Sequence, residues 1–269
     1  MSIENSSLVK KLASNNKPTR DKALESLQKY LQLSHLKQKD YDKIWKGLYY
    51  SMWFCDKPRP QQRLADKLGE LHLIFLSQNN KPNVEGFIRF SKSFWKVILL
   101  EWYTIDHHRI DKYLLLIRRC FYNQLLFLDK CSYDSELVSK YLEKVLMKFP
   151  LSGDKRVYTG IPMHIIDIFV DEWERVFEKE EEESDDEENE KRKQIDQKII
   201  NASCVSKMVD IFQKLYDNVL NSKVLRKKIK EDILENETLL EWNVINQHLQ
   251  KTETTTEQDE NEEEEWNGF

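Results

Sequence analysis

Two apolar stripes of helical period, meeting at a proline corner, constrain this chain more than any other feature. From Ile44 to Leu71 the sequence reads IWKGLYYSMWFCDKPRPQQRLADKLGEL. Ile44, Trp45, Leu48, Tyr49 and Met52 share one helical face, and Leu64, Leu68, Leu71 and Phe75 repeat that spacing beyond the corner. Lys57-Pro58-Arg59-Pro60 separates the two runs. A residue before proline is pushed out of the αR region, which ends the first helix. Pro60 fits the first turn of the second, where a missing N–H costs little. The expected product is a helical hairpin whose stiff elbow carries Lys57, Arg59 and Arg63.

The same periodicity recurs along the chain. Leu8, Val9 and Leu12 begin a short helix that runs out at Ser14-Asn15-Asn16, and Pro18 opens a second with Ala23, Leu24, Leu27 and Leu31 inward. Further stripes run through Phe87 to Trp102, Ile110 to Leu128 behind a capping Asp106, and Leu137 to Val145. Pro150–Pro162 is the one long connection, with two Pro and two Gly, and Pro162 opens a helix whose Ile165, Phe169 and Trp173 face in. Two more amphipathic segments span about Ile195–Leu220 and Ser222–Leu234, and a weaker one Leu239–Leu249. Only six Gly and six Pro, and no two-residue alternation, exclude a turn-rich β protein. The fold expected is all-α, stacked antiparallel helical hairpins in a HEAT/armadillo-like α-solenoid, with a helical bundle as the alternative packing. Four parts are expected: a helical-repeat body over 1–178, a disordered acidic insert over 179–193, C-terminal helices over 194–249 packing on the body, and a disordered acidic tail over 250–269.

Charge divides along the same lines. Residues 1–177 carry 29 Lys and Arg against 21 Asp and Glu, a balance of +8, whereas 178–269 carry 13 against 26, a balance of −13. A basic body with acidic appendages points to a body facing a polyanion and tails that mask it or meet basic partners. The longest apolar run, near Val97–Leu100, is too short to span a bilayer, and the first residues lack the apolar core of a signal peptide. Cys55, Cys120, Cys131 and Cys204 form no CxxC pair and read as ordinary side chains in a reducing compartment.

Catalytic patterns are missing from the sequence. No Gly-rich phosphate loop, HExxH or GxSxG occurs. Asp106-His107-His108 reads as a capped helix start, since neighbouring helical side chains diverge by about 100°. His72 reads as a core histidine. The chain is therefore expected not to be an enzyme and to need no cofactor or metal. Recognition surfaces are better supported: Lys57, Arg59, Pro60, Arg63 and Lys67 at the corner, Arg118 and Arg119 (with Arg109 and Lys112) on the Ile110 helix, and Lys155, Arg156 and Tyr158 in the long loop. Such cations suit phosphate contacts, which give affinity without sequence preference. The bland reading is solvated helix faces with pairs such as Lys227–Glu231. Ser184, flanked by acidic residues on both sides, matches what acidophilic kinases accept.

Several long runs carry a resemblance. WKGLYY, KPRPQQ, DKYLLLIRR and YTGIP, within about residues 6–235, resemble the eukaryotic nucleolar ribosomal RNA processing protein 1 family. Short length and the acidic insert resemble a fungal member; animal members carry long basic extensions on the same domain. The resemblance implies a nuclear, nucleolar, non-catalytic assembly factor of the large ribosomal subunit, required for pre-rRNA processing in early precursor particles. Its implied partners are other large-subunit assembly factors and pre-rRNA, with no membrane and no small-molecule substrate. The alternative is a protein–protein adaptor that never touches RNA.

Overall fold

Helix boundaries follow local chemistry almost everywhere. A computed structural model of the chain describes residues 2–12, 14–33, 36–77, 81–178 and 203–245. α1 spans Ser2–Leu12, α2 Lys17–Leu33, α3 Gln38–Trp53, α4 Pro58–Glu70, α5 Val84–Glu101, α6 His107–Lys130, α7 Ser135–Tyr141 and α8 Gly160–Glu178. α9 (Ser203–Asp217), α10 (Lys223–Ile229) and α11 (Glu237–Glu241) follow. Orphan N–H groups at the helix starts are satisfied by side-chain caps. Asn16 accepts from Thr19 N–H, Asn83 from Gly86, Asp106 from His108, Asp134 from Leu137, Ser222 from Leu225 and Asn236 from Leu239, at 2.8–3.2 Å. Pro58 opens α4 as expected. α4 runs on into a 3-10 segment, Leu71–Ser77, so the second stripe bends before Phe75. α7 and α10 each continue as a π turn, over Leu142–Leu146 and Lys230–Leu234.

The helices stack as pairs. α1, α3, α5 and α7 with its π turn pack in succession to form one layer, and α4, α6, α8 and α10 form the other, with α2 against the 3-10 segment after α4. Within each layer a helix meets the second helix on in the chain, which is solenoid rather than up-and-down bundle packing. Among the described residues no helix is long and apolar enough to cross a membrane. Between the layers lies an aromatic core. Trp45 sits 4.9 Å from Phe90 and 4.8 Å from Phe94, and Phe87 stacks on Phe127 at 3.8 Å. Each such buried side chain contributes about 1.5–3 kcal/mol through removal from water.

His72 anchors this core as a neutral, fully satisfied group. Its Nδ1–H donates to Gly69 O at 2.9 Å, and its Nε2 accepts from the Gln124 amide at 3.1 Å. Gln124 Oε1 accepts in turn from Trp95 Nε1 (3.0 Å) and the Tyr141 hydroxyl (2.8 Å). Burial pushes the His72 pKa down to about 4. α4 crosses α6 at Gly69, where a Cβ would stand 2.7 Å from Arg119 O.

Because paired helices run in opposite directions, all the turns that join a first-layer helix to a second-layer one lie along one edge. Side chains staple those turns together. Arg20 donates to Ser14 O and Asn15 O (2.9 Å each) and across to Phe54 O (3.3 Å). Lys112 donates to Trp53 O (2.8 Å) and Cys55 O (3.0 Å), and the Tyr103 hydroxyl to Arg156 O (3.2 Å). Gly153, at φ +69°, packs where a Cβ would lie 3.2 Å from Leu215. The C-terminal helices are in contact with the body: Phe169 meets Phe212 at 5.1 Å and Phe177 meets Trp242 at 5.7 Å.

Three sequence expectations change. The first helix begins at Ser2, well before Leu8, and α8 begins at Gly160, ahead of Pro162, which fits within a first turn. Lys112 is no surface cation but a buried clamp on the α3–α4 turn, 5% exposed. The acidic insert 179–193, Ser184, the first part of the 194–249 segment with its last residues, and the tail 250–269 lie outside the described residues.

Candidate interaction surface

The candidate cations fall into three groups, and their partners separate them. Arg118 lies on the face shared by α6 and α8, bonded to the fully buried Glu172 and, at 3.0 Å, to Asp171. Arg175 sits 3.5 Å from the same Glu172. Arg119 pairs with Asp66 of α4 at 2.7 Å. Both arginines therefore knit second-layer helices together. Arg109 is paired with Asp106 and rests over Trp53 at 4.4 Å. Lys227–Glu231 forms at 3.6 Å, and Lys228 bridges Asp167 and Asp232 at 2.5 and 2.6 Å.

The long loop is partly self-neutralised. Arg156 makes contacts of 3.0, 3.1 and 2.6 Å to the Asp154 carboxylate and holds that carboxyl down to about 2. Lys155 remains exposed and has no ion pair among the described residues. Tyr158 is half-exposed, with Trp102 and Tyr103 about it at 6.0 and 6.1 Å.

The corner differs from both. Lys57, Arg59, Arg63 and Lys67 are exposed and carry no ion pair among the described residues. Pro60, Arg63, Leu64, Lys67 and Leu68 recur at i, i+3, i+4, i+7 and i+8, so one face of α4 presents two cations beside two leucines. That face and α2 bound a groove of about 530 Å³. Phe54 and Leu64 give it apolar surface above the buried Leu24 and Leu68. Lys57, Arg63 and Lys67 supply positive charge, Lys17 is paired with Asp21 at 2.6 Å, and Asp56 also lines it. Arg59 does not line it. The Arg20 and Lys112 clamps fix the turn at its end, so the cations project from a rigid frame. Arg20 and Lys17 are contributions that the corner motif alone did not reveal; their only sequence signal is their place at the start of the second helix.

His107 and His108 lie in the first turn of α6 with ring centroids 3.6 Å apart, closer than divergent helical directions imply. Among the described residues no group of three or more His, Cys, Asp or Glu is arranged to hold a metal. Cys120 and Cys204 are buried, and burial pushes both thiols up, Cys204 to about 12.

Comparison with known proteins places this chain in a family. The chain is 34% identical over 177 residues to human ribosomal RNA processing protein 1 homolog B, covering 63% of this chain and 22% of that protein. It is 30% identical over 175 residues to the mouse homolog A, covering 63% and 34%. To the Caenorhabditis elegans homolog it is 32% identical over 166 residues, covering 60% and 40%. The matched part thus spans between 22% and 40% of the length of these relatives. The family model described as nucleolar protein, Nop52, matches residues 3–268. With a match over almost its whole length, the chain belongs to the Nop52 family of nucleolar proteins.

Proposed function

We propose that this protein is a non-catalytic assembly factor that supports pre-rRNA processing in the nucleolus, within early precursor particles of the large ribosomal subunit. The solenoid body is its scaffold, the acidic segments 179–193 and 250–269 are its appendages, and the α2–α4 groove at the Lys57–Lys67 corner is its main contact with the particle. What carries the choice of surface is the set of corner cations without an ion pair among the described residues, set against the paired Arg118, Arg119 and Arg156. Exposed, preorganised cations gain most from an incoming polyanion, because no internal ion pair must first be broken. Relatives named as ribosomal RNA processing proteins support the process assigned.

The test is affinity purification of tagged full chain, reading pre-rRNA and co-purifying proteins together. Arg63→Glu/Lys67→Glu should lose precursor particles while melting like wild type, and Arg59→Glu, outside the groove, should retain them. Retention by the double variant would refute the groove; failure of wild type to recover any precursor particle would refute the function. The apolar floor of the groove favours a second reading, a protein adaptor without RNA contact. Crosslinking in cells decides it: RNA-linked peptides from Lys57–Lys67 exclude the adaptor reading.

A further inference from the structure

Exposed apolar side chains on this protein are not scattered. Among the described residues the large exposed ones are Phe54, Leu100, Tyr103, Met147, Tyr158, Val219, Leu220 and Val224. Every one lies in, or within one helical turn of, a first-layer to second-layer turn or the α9–α10 turn. The far half of this edge is densest, where the Pro150–Pro162 loop faces the α9–α10 turn. A groove of about 260 Å³ opens there, lined by Pro150, Val157, Pro162, Leu215, Leu220 and Leu225 among others. Leu220 is 71% exposed and Val219 75%, in a turn held by Asn221 Nδ2 donating to Leu215 O at 2.7 Å. Contiguous exposed apolar surface on a rigid frame marks an interaction site rather than random exposure.

Two exposed cations stand at this groove. Lys155 lines the groove and Lys223 follows its Ser222 wall; both are exposed and free of ion pairs among the described residues. Asp154, the groove's own carboxylate, is consumed by Arg156. An aliphatic floor argues against nucleic acid. Val157, Leu215, Leu220 and Leu225, which line it, neither reach phosphates nor stack on bases, as single-stranded RNA recognition requires.

We infer that the groove between the Pro150–Pro162 loop and the α9–α10 turn docks a partner protein through a segment that presents an apolar anchor flanked by carboxylates. The anchor enters beside Leu220 and Leu225, and its acidic flanks meet Lys155 and Lys223. The inference stands on this geometry and is independent of the α2–α4 groove.

Short random peptides displayed on phage, selected on immobilised full chain with Leu220→Glu as the counter-target, test it. Enriched sequences should carry Trp, Phe, Leu or Met among Asp and Glu. A synthetic consensus peptide should bind wild type about tenfold more tightly than Leu220→Glu or Lys155→Glu, the loss expected for removing one central contact. Both substitutions lie on exposed turns, and unchanged thermal melting confirms that the fold is kept. The inference is overturned by no enrichment, by equal enrichment on both targets, or by oligouridine RNA whose binding Leu220→Glu abolishes. It is equally overturned if the chain is a dimer that Leu220→Glu splits, since the occupant is then a second copy.

Discussion

Stability should fall in mild acid, and His72 should account for much of the fall. In the fold its ring is neutral, with Nδ1–H on Gly69 O and Nε2 accepting from Gln124, so protonation would break one bond and bury a charge. Its pKa is about 4 in the fold against an ordinary imidazole value of 6.5. A basic group with a depressed folded pKa stabilises fully above the unfolded value and loses that contribution as pH falls from 6.5 towards 4, because only the unfolded chain takes up the proton. That interval is worth about 3 kcal/mol in full, and about 2 kcal/mol of it is lost by about pH 5. Urea denaturation of wild type and His72→Asn at about pH 7.5 and about pH 5 isolates the effect. The variant starts less stable, since Gln124 loses an acceptor, but its loss between the two pH values should be smaller than that of wild type by about 2 kcal/mol. His164, whose pKa burial also lowers, is common to both proteins and cancels. Parallel losses in the two proteins would refute the assignment of a neutral, proton-excluding His72.

Three further outcomes follow from the packing. Lys112→Met should destabilise by about 1–3 kcal/mol, because Trp53 O and Cys55 O lose their donor, and amide exchange should quicken at the α3–α4 turn first. Arg118→Ala should cost about 2 kcal/mol by leaving Glu172 buried with Arg175 as its remaining cation among the described residues, and Arg118→Ala/Glu172→Gln should recover part of that loss. If Arg118→Ala instead left thermal stability unchanged and abolished particle recovery, its role would be contact and not structure. Gly69→Ala should lower the unfolding midpoint by an overpacking cost of about 1–3 kcal/mol despite its better helix propensity, since the Arg119 carbonyl cannot give way.

Helices, their order and most of their ends were legible in the chain, since these depend on neighbours within a few residues. The 3.6-residue stripe from Ile44 to Met52, the Lys57–Pro60 break, the Asp106 cap and the scarcity of glycine each act locally. So do the resemblance runs WKGLYY and DKYLLLIRR, which led to the family that residues 3–268 match. The partners of each cation were not legible. Lys57, Lys112, Arg118 and Lys155 look alike on a helix face or in a loop, yet Lys112 turned inward to two carbonyls and Arg118 to a buried glutamate. The partners of Lys112, Arg118 and Arg119 lie more than fifty positions away, brought near only when helices stack at alternate positions. Nor could any local pattern show that Phe54, Tyr103, Tyr158 and Leu220 share an edge, because each is an ordinary turn residue by itself. Periodicity determined that the chain forms paired helices; layer packing alone decided which charges and which apolar side chains face outward together.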